Sequence, residues 1–170
     1  MNALILLLRL LHIVSGAFWV GTVITVVFFI EPSAKALDGE GERFLAHLAI
    51  RRRLALILAV AASTAIGAGA VMYWIDSDGL RLSWITTHTG LAFTVGGLAA
   101  LSALAIAAIF LKPEVDRLTA LEKHQLGAAS VHEPVRVDEA YERRLRRWSL
   151  IQVSLLIIAI SAMATARYIP

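Results

Sequence analysis

The chain has 170 residues, a net charge of +3, 58% hydrophobic and 17% charged residues, and a mean hydropathy of +0.73. An average soluble domain carries about a quarter charged residues, so this composition points to long apolar segments with charges gathered between them. The absence of cysteine excludes disulfides, iron–sulfur clusters, thiolate zinc and covalent c-type haem attachment. The basic residues sit beside the ends of apolar runs, where they read as topology signals and not as a nucleic-acid footprint.

The first apolar run covers residues 3–30. As a helix it would be about 40 Å long against a hydrocarbon core of about 30 Å, so it must tilt or protrude. Glu31-Pro32-Ser33 is expected to end it, because proline disfavours a helical residue before it. No basic residue precedes Leu4, and Arg9 and His12 interrupt the run, so it reads as a retained first helix and not a signal peptide. In the polar segment that follows, Asp38-Gly39 opens a short helix, "EGERFLAHLAIRRR". The second apolar run is 54–75. "DSDGLRLS" is a tight turn with Ser83 as the expected N-cap of the third run, 84–111. "PEVDRLTALEKHQLG" has helical composition up to Gly127, "AASVHEP" is a loop, and Pro134 suits a first helical position. "VDEAYERRLRRWSL" then leads into the fourth run, 149–166.

Four runs of this length predict an all-α, integral membrane four-helix bundle spanning the whole chain as one transmembrane domain. Segment 31–53 carries Lys35, Arg43, Arg51, Arg52 and Arg53, and segment 112–148 carries eight basic residues, whereas the 76–83 turn has only Arg81. The lysine and arginine bias puts both long connections, with their helical extensions, in the cytoplasm and both termini outside. This is the layout of a multi-pass protein of the bacterial inner membrane. Ala59, Ser63 and Gly67, and again Ala92, Gly96 and Ala100, repeat at four-residue spacing. Small residues in this pattern let helices approach closely in lipid, which serves bundle packing or, in a sharper reading, a homodimer.

Ionisable side chains within a membrane are costly, and their default reading is a functional site. Arg9 and His12 lie in the first run and His88 in the third; both runs enter from the outer side. His12 is about 13 Å along its helix, and His88 about 6 to 12 Å along the third, depending on where that helix starts. Two inward histidines at one depth can ligate a b-type haem iron axially. Gly16, one turn below His12, would leave room for the macrocycle; Trp19 continues the same face. Arg9 and Arg81 would pair with the two propionates at the outer surface. The bland alternative has His12 hydrogen-bonding a neighbouring helix and Arg9 snorkelling to headgroups. Met72, Tyr73 and Met163 fall near the outer ends, with Met163 open as an axial or copper ligand. His47, His124 and His132 fall in the polar segments; His47 and His124 could line a cytoplasmic ligand site. A copper site built on His12, His88 and a methionine is the rival chemistry. No H-E-x-x-H, P-loop or nucleophile elbow is present, so no hydrolase is indicated.

"LHIVSGAFWVGT" in the first run and "FLKPEVDRL" after the third resemble a group of small bacterial membrane proteins similar to the membrane domain of copper-resistance protein D. The pattern of histidine, small residues, tryptophan and glycine is also similar to the four-helix membrane protoporphyrinogen oxidase, which binds b-type haem. The resemblance implies a four-helix bundle with His12 as haem ligand. The oxidase group has an important lysine on its third helix. Here that helix has no internal lysine and His88 occupies the region, so the resemblance, with this departure, implies a bis-histidine cytochrome rather than that oxidase. The expected function is electron transfer with a quinone or a periplasmic redox protein, or a haem-dependent membrane oxidoreductase. The alternatives are copper transport or resistance, and a non-catalytic membrane scaffold subunit.

Overall fold

The computed structural model describes residues 3–37, 39–113, 116, 139–166 and 168, and among these there are helices and no strand. Helix α1 runs Ala3–Lys35 and α2 runs Gly39–Ala46, followed by a π-helical turn, His47–Arg51. Helix α3 is Leu54–Asp76, α4 is the single turn Leu82–Ile85, α5 is His88–Ile106 with a π-helical turn at Ala107–Leu111, and α6 is Glu139–Thr165. Four of these helices, α1, α3, α5 and α6, are long and apolar enough to cross a membrane. The protein is thus built as a multi-pass membrane protein. Its apolar side chains cover the outside as well as the inside: Leu7, Ile13, Val14, Phe29, Val60, Trp74, Leu98, Ile109 and Ile157 all stand exposed. A helix apolar all round has no water-facing side, as lipid on the outer face requires.

Helix α1 packs along α3, and α5 packs along α6; the contacts that join the two pairs, α3 with α5 and α1 with α6, are sparser. The core between them is made of Trp19, Val20, Val23 and Val27 from α1, Ala61 and Ala62 from α3, Ala103 from α5, and Val153 and Leu156 from α6. Alanine on α3 and α5 lets the helices close on one another, and the branched residues of α1 and α6 fill the space left. Polar groups inside are accounted for. Ser77, Ser149 and Gln152 are buried, and no buried side-chain nitrogen or oxygen among the described residues lacks a hydrogen-bond partner.

Three element boundaries differ from the sequence expectation. The first helix continues through Pro32 to Lys35. Its π-helical turn, Val26–Ile30, precedes the proline, and the Glu31 N–H reaches back five residues to the Val26 carbonyl. Slipping the hydrogen-bond register just before proline accommodates a residue that has no N–H to give. The third spanning helix starts at His88, not at residue 84, and its N-cap is Thr87 instead of Ser83; the Thr87 hydroxyl accepts the Gly90 N–H at 3.1 Å. The fourth is one unbroken helix from Glu139, so "ERRLRR" is part of it. The expected helix up to Gly127, with its loop and Pro134, lies almost wholly outside the described residues.

At Gly90, an added Cβ would stand 2.2 Å from the Trp84 carbonyl oxygen and 2.9 Å from the Ile85 Cα. Gly97, two turns on, has nothing within 4 Å. Gly90→Ala is therefore expected to cost about 1–3 kcal/mol through overpacking, read as a lowered thermal midpoint by circular dichroism in detergent. Gly97→Ala should match the wild type or exceed it. Equal midpoints for the two variants would contradict the close approach at the α4–α5 corner.

Candidate functional site

The end of the bundle that carries the 77–87 turn holds His12, Tyr73 and Thr94, polar side chains set within the spans that bond across helices. Helix α1 presents His12, Gly16, Trp19, Val20 and Val23 at helical spacing, and α3 presents Ala61, Ala62, Ala65 and Gly69. These two stripes meet. His12 is half-buried, and its Nδ1 lies 2.7 Å from the Ala65 carbonyl oxygen. A carbonyl oxygen only accepts, so Nδ1 carries the proton and donates it. In the neutral ring that fixes the tautomer and leaves the lone pair on Nε2. Gly69 makes the approach feasible: a Cβ there would stand 2.9 Å from both Cε1 and Nδ1 of His12. One turn below, a Cβ on Gly16 would meet the Ala65 Cβ at 3.8 Å, an ordinary contact. The space beside Gly16 is thus bordered by α3. Trp19 is buried against the same helix pair. Arg9 is half-buried one turn above His12.

A second group ties α3 to α5. The Tyr73 and Thr94 hydroxyls are 2.6 Å apart, and Thr94 donates to the Gly90 carbonyl at 2.7 Å. Because Thr94 has given its proton to Gly90, Tyr73 is the donor of the shared bond. The Tyr73 ring meets Trp84 edge-on at 5.3 Å, and Trp84 stacks on Phe93 at 6.5 Å. On the far side of α5, Gly96 receives Met163 of α6: a Cβ at Gly96 would lie 3.0 Å from the Met163 Cγ.

These contacts give a register across the bundle. Gly69 stands against His12, Tyr73 against Thr94, and Gly96 against Met163. Counting about 1.5 Å per residue along α3 and α5, His88 lies on the order of 15 Å nearer the turn than His12, while Met163 lies close to the level of His12. The structure therefore does not bring His12 and His88 to one depth. His88 is exposed as the first residue of α5. The sequence estimate placed the start of that helix four to eight residues too early. Arg81 is likewise exposed, and its guanidinium pairs with Asp78 at the mouth of a shallow cleft of about 370 Å³ lined also by Asp76, Ser77 and Thr87. His47 is exposed in the π-helical turn after α2, and Met72 is half-buried. His124 and His132 lie outside the described residues.

Of the two small-residue repeats, Gly96 is buried and Ala92 and Ala100 are half-buried, whereas Ala59, Ser63 and Gly67 are exposed. The packing face of α3 is instead the alanine stripe two positions over, Ala61 and Ala65, with Gly69 in continuation. Sequence spacing alone did not distinguish these two faces, because α3 is alanine- and glycine-rich all round. Ala65, Gly69 and Thr94 are the site residues that sequence reasoning missed. Threonine at a helical position is a weak signal, and Gly69 matters only once its neighbour is known. Among the described residues, no three His, Asp or Glu side chains converge as a metal-ion cage. No protein-family model, curated protein or solved structure matches the chain.

Tyr73→Phe removes the donor to Thr94, a loss expected near 0.6 kcal/mol for a hydrogen bond between spanning helices. Gly69→Ala is expected to be the more harmful change, since the ring of His12 must move off Ala65. Thermal midpoints in detergent should fall in the order wild type, Tyr73→Phe, Gly69→Ala. A Gly69→Ala variant as stable as wild type would contradict the His12 placement.

Proposed function

We propose that this is a b-type haem protein of the bacterial inner membrane, in which His12 Nε2 would hold the iron. The observation that carries the reading is the Nδ1–H bond from His12 to the Ala65 carbonyl. Metal-ligating histidines characteristically donate their second ring N–H to a carbonyl or carboxylate, which fixes the tautomer and raises the basicity of the ligating nitrogen. The donor set also favours haem over a bare ion. A zinc ion asks the protein for three or four donors, and no such group of His, Asp and Glu converges among the described residues. Haem asks only for axial ligands. When bound, the group would supply one-electron chemistry, with a quinone or a periplasmic redox protein as exchange partner.

The chain's own residues then have distinct tasks. Ala65 and Gly69 orient the His12 ring. Arg9, one turn towards the terminal end, is placed to pair with a propionate. Among the described residues, Arg81, shared with Asp78, is a second cation of that end. As a further residue to hold the group, the register favours Met163, half-buried on α6, over His88, exposed as the first residue of α5. Both termini and the 77–87 turn are read as facing the periplasm, from the arginines at the opposite end.

Protein purified from membranes should show a Soret band that shifts on dithionite reduction. His12→Ala should abolish the band. Met163→Leu should lower the reduction potential, since a thioether ligand raises it, and His88→Ala and His47→Ala should leave the spectrum unchanged. Loss of the band in His88→Ala with an unaltered spectrum in Met163→Leu would restore a bis-histidine assignment. A colourless protein carrying copper by elemental analysis would overturn the haem reading in favour of copper handling. A colourless, metal-free protein would overturn it in favour of a scaffold role.

A further inference from the structure

At the arginine-rich end of the bundle, α6 carries a feature that the haem reading does not use. Arg143, Arg146, Arg147, Leu150, Ile151, Ser154 and Leu155 line one shallow groove of about 480 Å³. They recur three and four residues apart, so they form a single stripe along the helix. This stripe is not the packing face: α6 buries Ser149, Gln152, Val153, Leu156 and Ala159 against the bundle. Arg144, in the same basic run, is exposed but does not line the groove.

The stripe has a sharp polarity. Its first turn is guanidinium, and from Leu150 onward it is apolar apart from Ser154. The change falls between Arg147 and Leu150, so the arginines occupy the first turns of the candidate span Arg143–Thr165 and the apolar residues the turns that follow. The arginines stand on a helix that is unbroken from Glu139, and Trp148 beside them stacks on Phe110 of the neighbouring helix at 3.9 Å.

We propose that this groove binds one anionic phospholipid. The phosphate would sit among Arg143, Arg146 and Arg147, whose planar forks match phosphate oxygens. One acyl chain would lie along Leu150, Ile151 and Leu155. Charge complementarity selects the headgroup, since three guanidinium groups together disfavour a zwitterionic lipid relative to an anionic one. The apolar lower half selects a lipid over a free phosphate ion, which would have nothing to place there.

The test is native mass spectrometry of the full-length protein in detergent, titrated with phosphatidylglycerol or phosphatidylcholine of the same chains. Wild type should retain one phosphatidylglycerol with a preference over phosphatidylcholine on the order of tenfold or more. Arg143→Gln/Arg147→Gln should bring that preference close to one. Arg51→Gln/Arg52→Gln removes the same charge elsewhere at this end, and Arg144→Gln removes one beside the groove; both should keep the preference. Should the groove double variant not be recovered folded, Arg147→Gln alone should lose severalfold. Equal losses in the groove and control variants would overturn the proposal in favour of unspecific attraction to a basic surface. Displacement of the lipid by millimolar inorganic phosphate would overturn it in favour of an ion site.

Discussion

The close crossing of α1 and α3 at His12 is the constraint from which the turn end of the molecule is built. An imidazole within a span needs a partner for its N–H, because lipid offers none. The Ala65 carbonyl supplies it, although that carbonyl already belongs to a helical ladder. A second hydrogen bond to a helical carbonyl requires the donor to come in close beside the backbone. Only the missing side chain of Gly69 leaves room for the ring. The alanines that continue the stripe keep the two helices close below this point, down to Trp19 and the valines of the core. One polar side chain thus sets the register of one helix pair.

The other pair is set by different means. Helices α5 and α6 meet through Gly96 and Met163, with Thr89 reaching the Ala166 carbonyl at 3.2 Å near the turn end. Between the pairs, the Tyr73–Thr94 bond and the Trp84 aromatic cluster act as a clasp. The core between the pairs is left to small and branched apolar residues and Trp19. At the opposite end, Gly41 closes α2 onto α1, where a Cβ would overlap the Ala34 carbonyl. Among the described residues of that end, Lys35, Arg43, Arg143, Arg146 and Arg147 are held on helices, whereas Arg52 and Arg53 form the turn into α3.

Much of the architecture was legible in the sequence. Four long apolar runs have one economical solution in lipid, and the start of α3 at Leu54 followed from the basic cluster before it. His12 stood out because an ionisable group in a span is rare. What the sequence did not reveal was which neighbour His12 meets. The helices are apolar on every face, so no amphipathic moment orients them, and the packing face of α3 had to be learned from contacts. The start of the third helix was misjudged for a local reason. "LRLSWITTHTG" contains several capping residues, and Thr87 is used because Gly90 alone can turn under the Trp84 carbonyl. That shift of four residues moved His88 away from the depth of His12. The Pro32 boundary was misplaced because a π-helical turn can absorb a proline, and nothing in "VVFFIEP" signals that turn.

The tautomer of His12 is the most direct measure of this account. Solid-state ¹⁵N spectroscopy of histidine-labelled protein in lipid bilayers reports which ring nitrogen carries the proton, with His12→Gln assigning the signal. The account predicts a neutral His12 ring protonated at Nδ1, with Nε2 bare or bound to a metal. A ring protonated at Nε2 with Nδ1 bare would contradict it, because the Ala65 carbonyl would then face a lone pair.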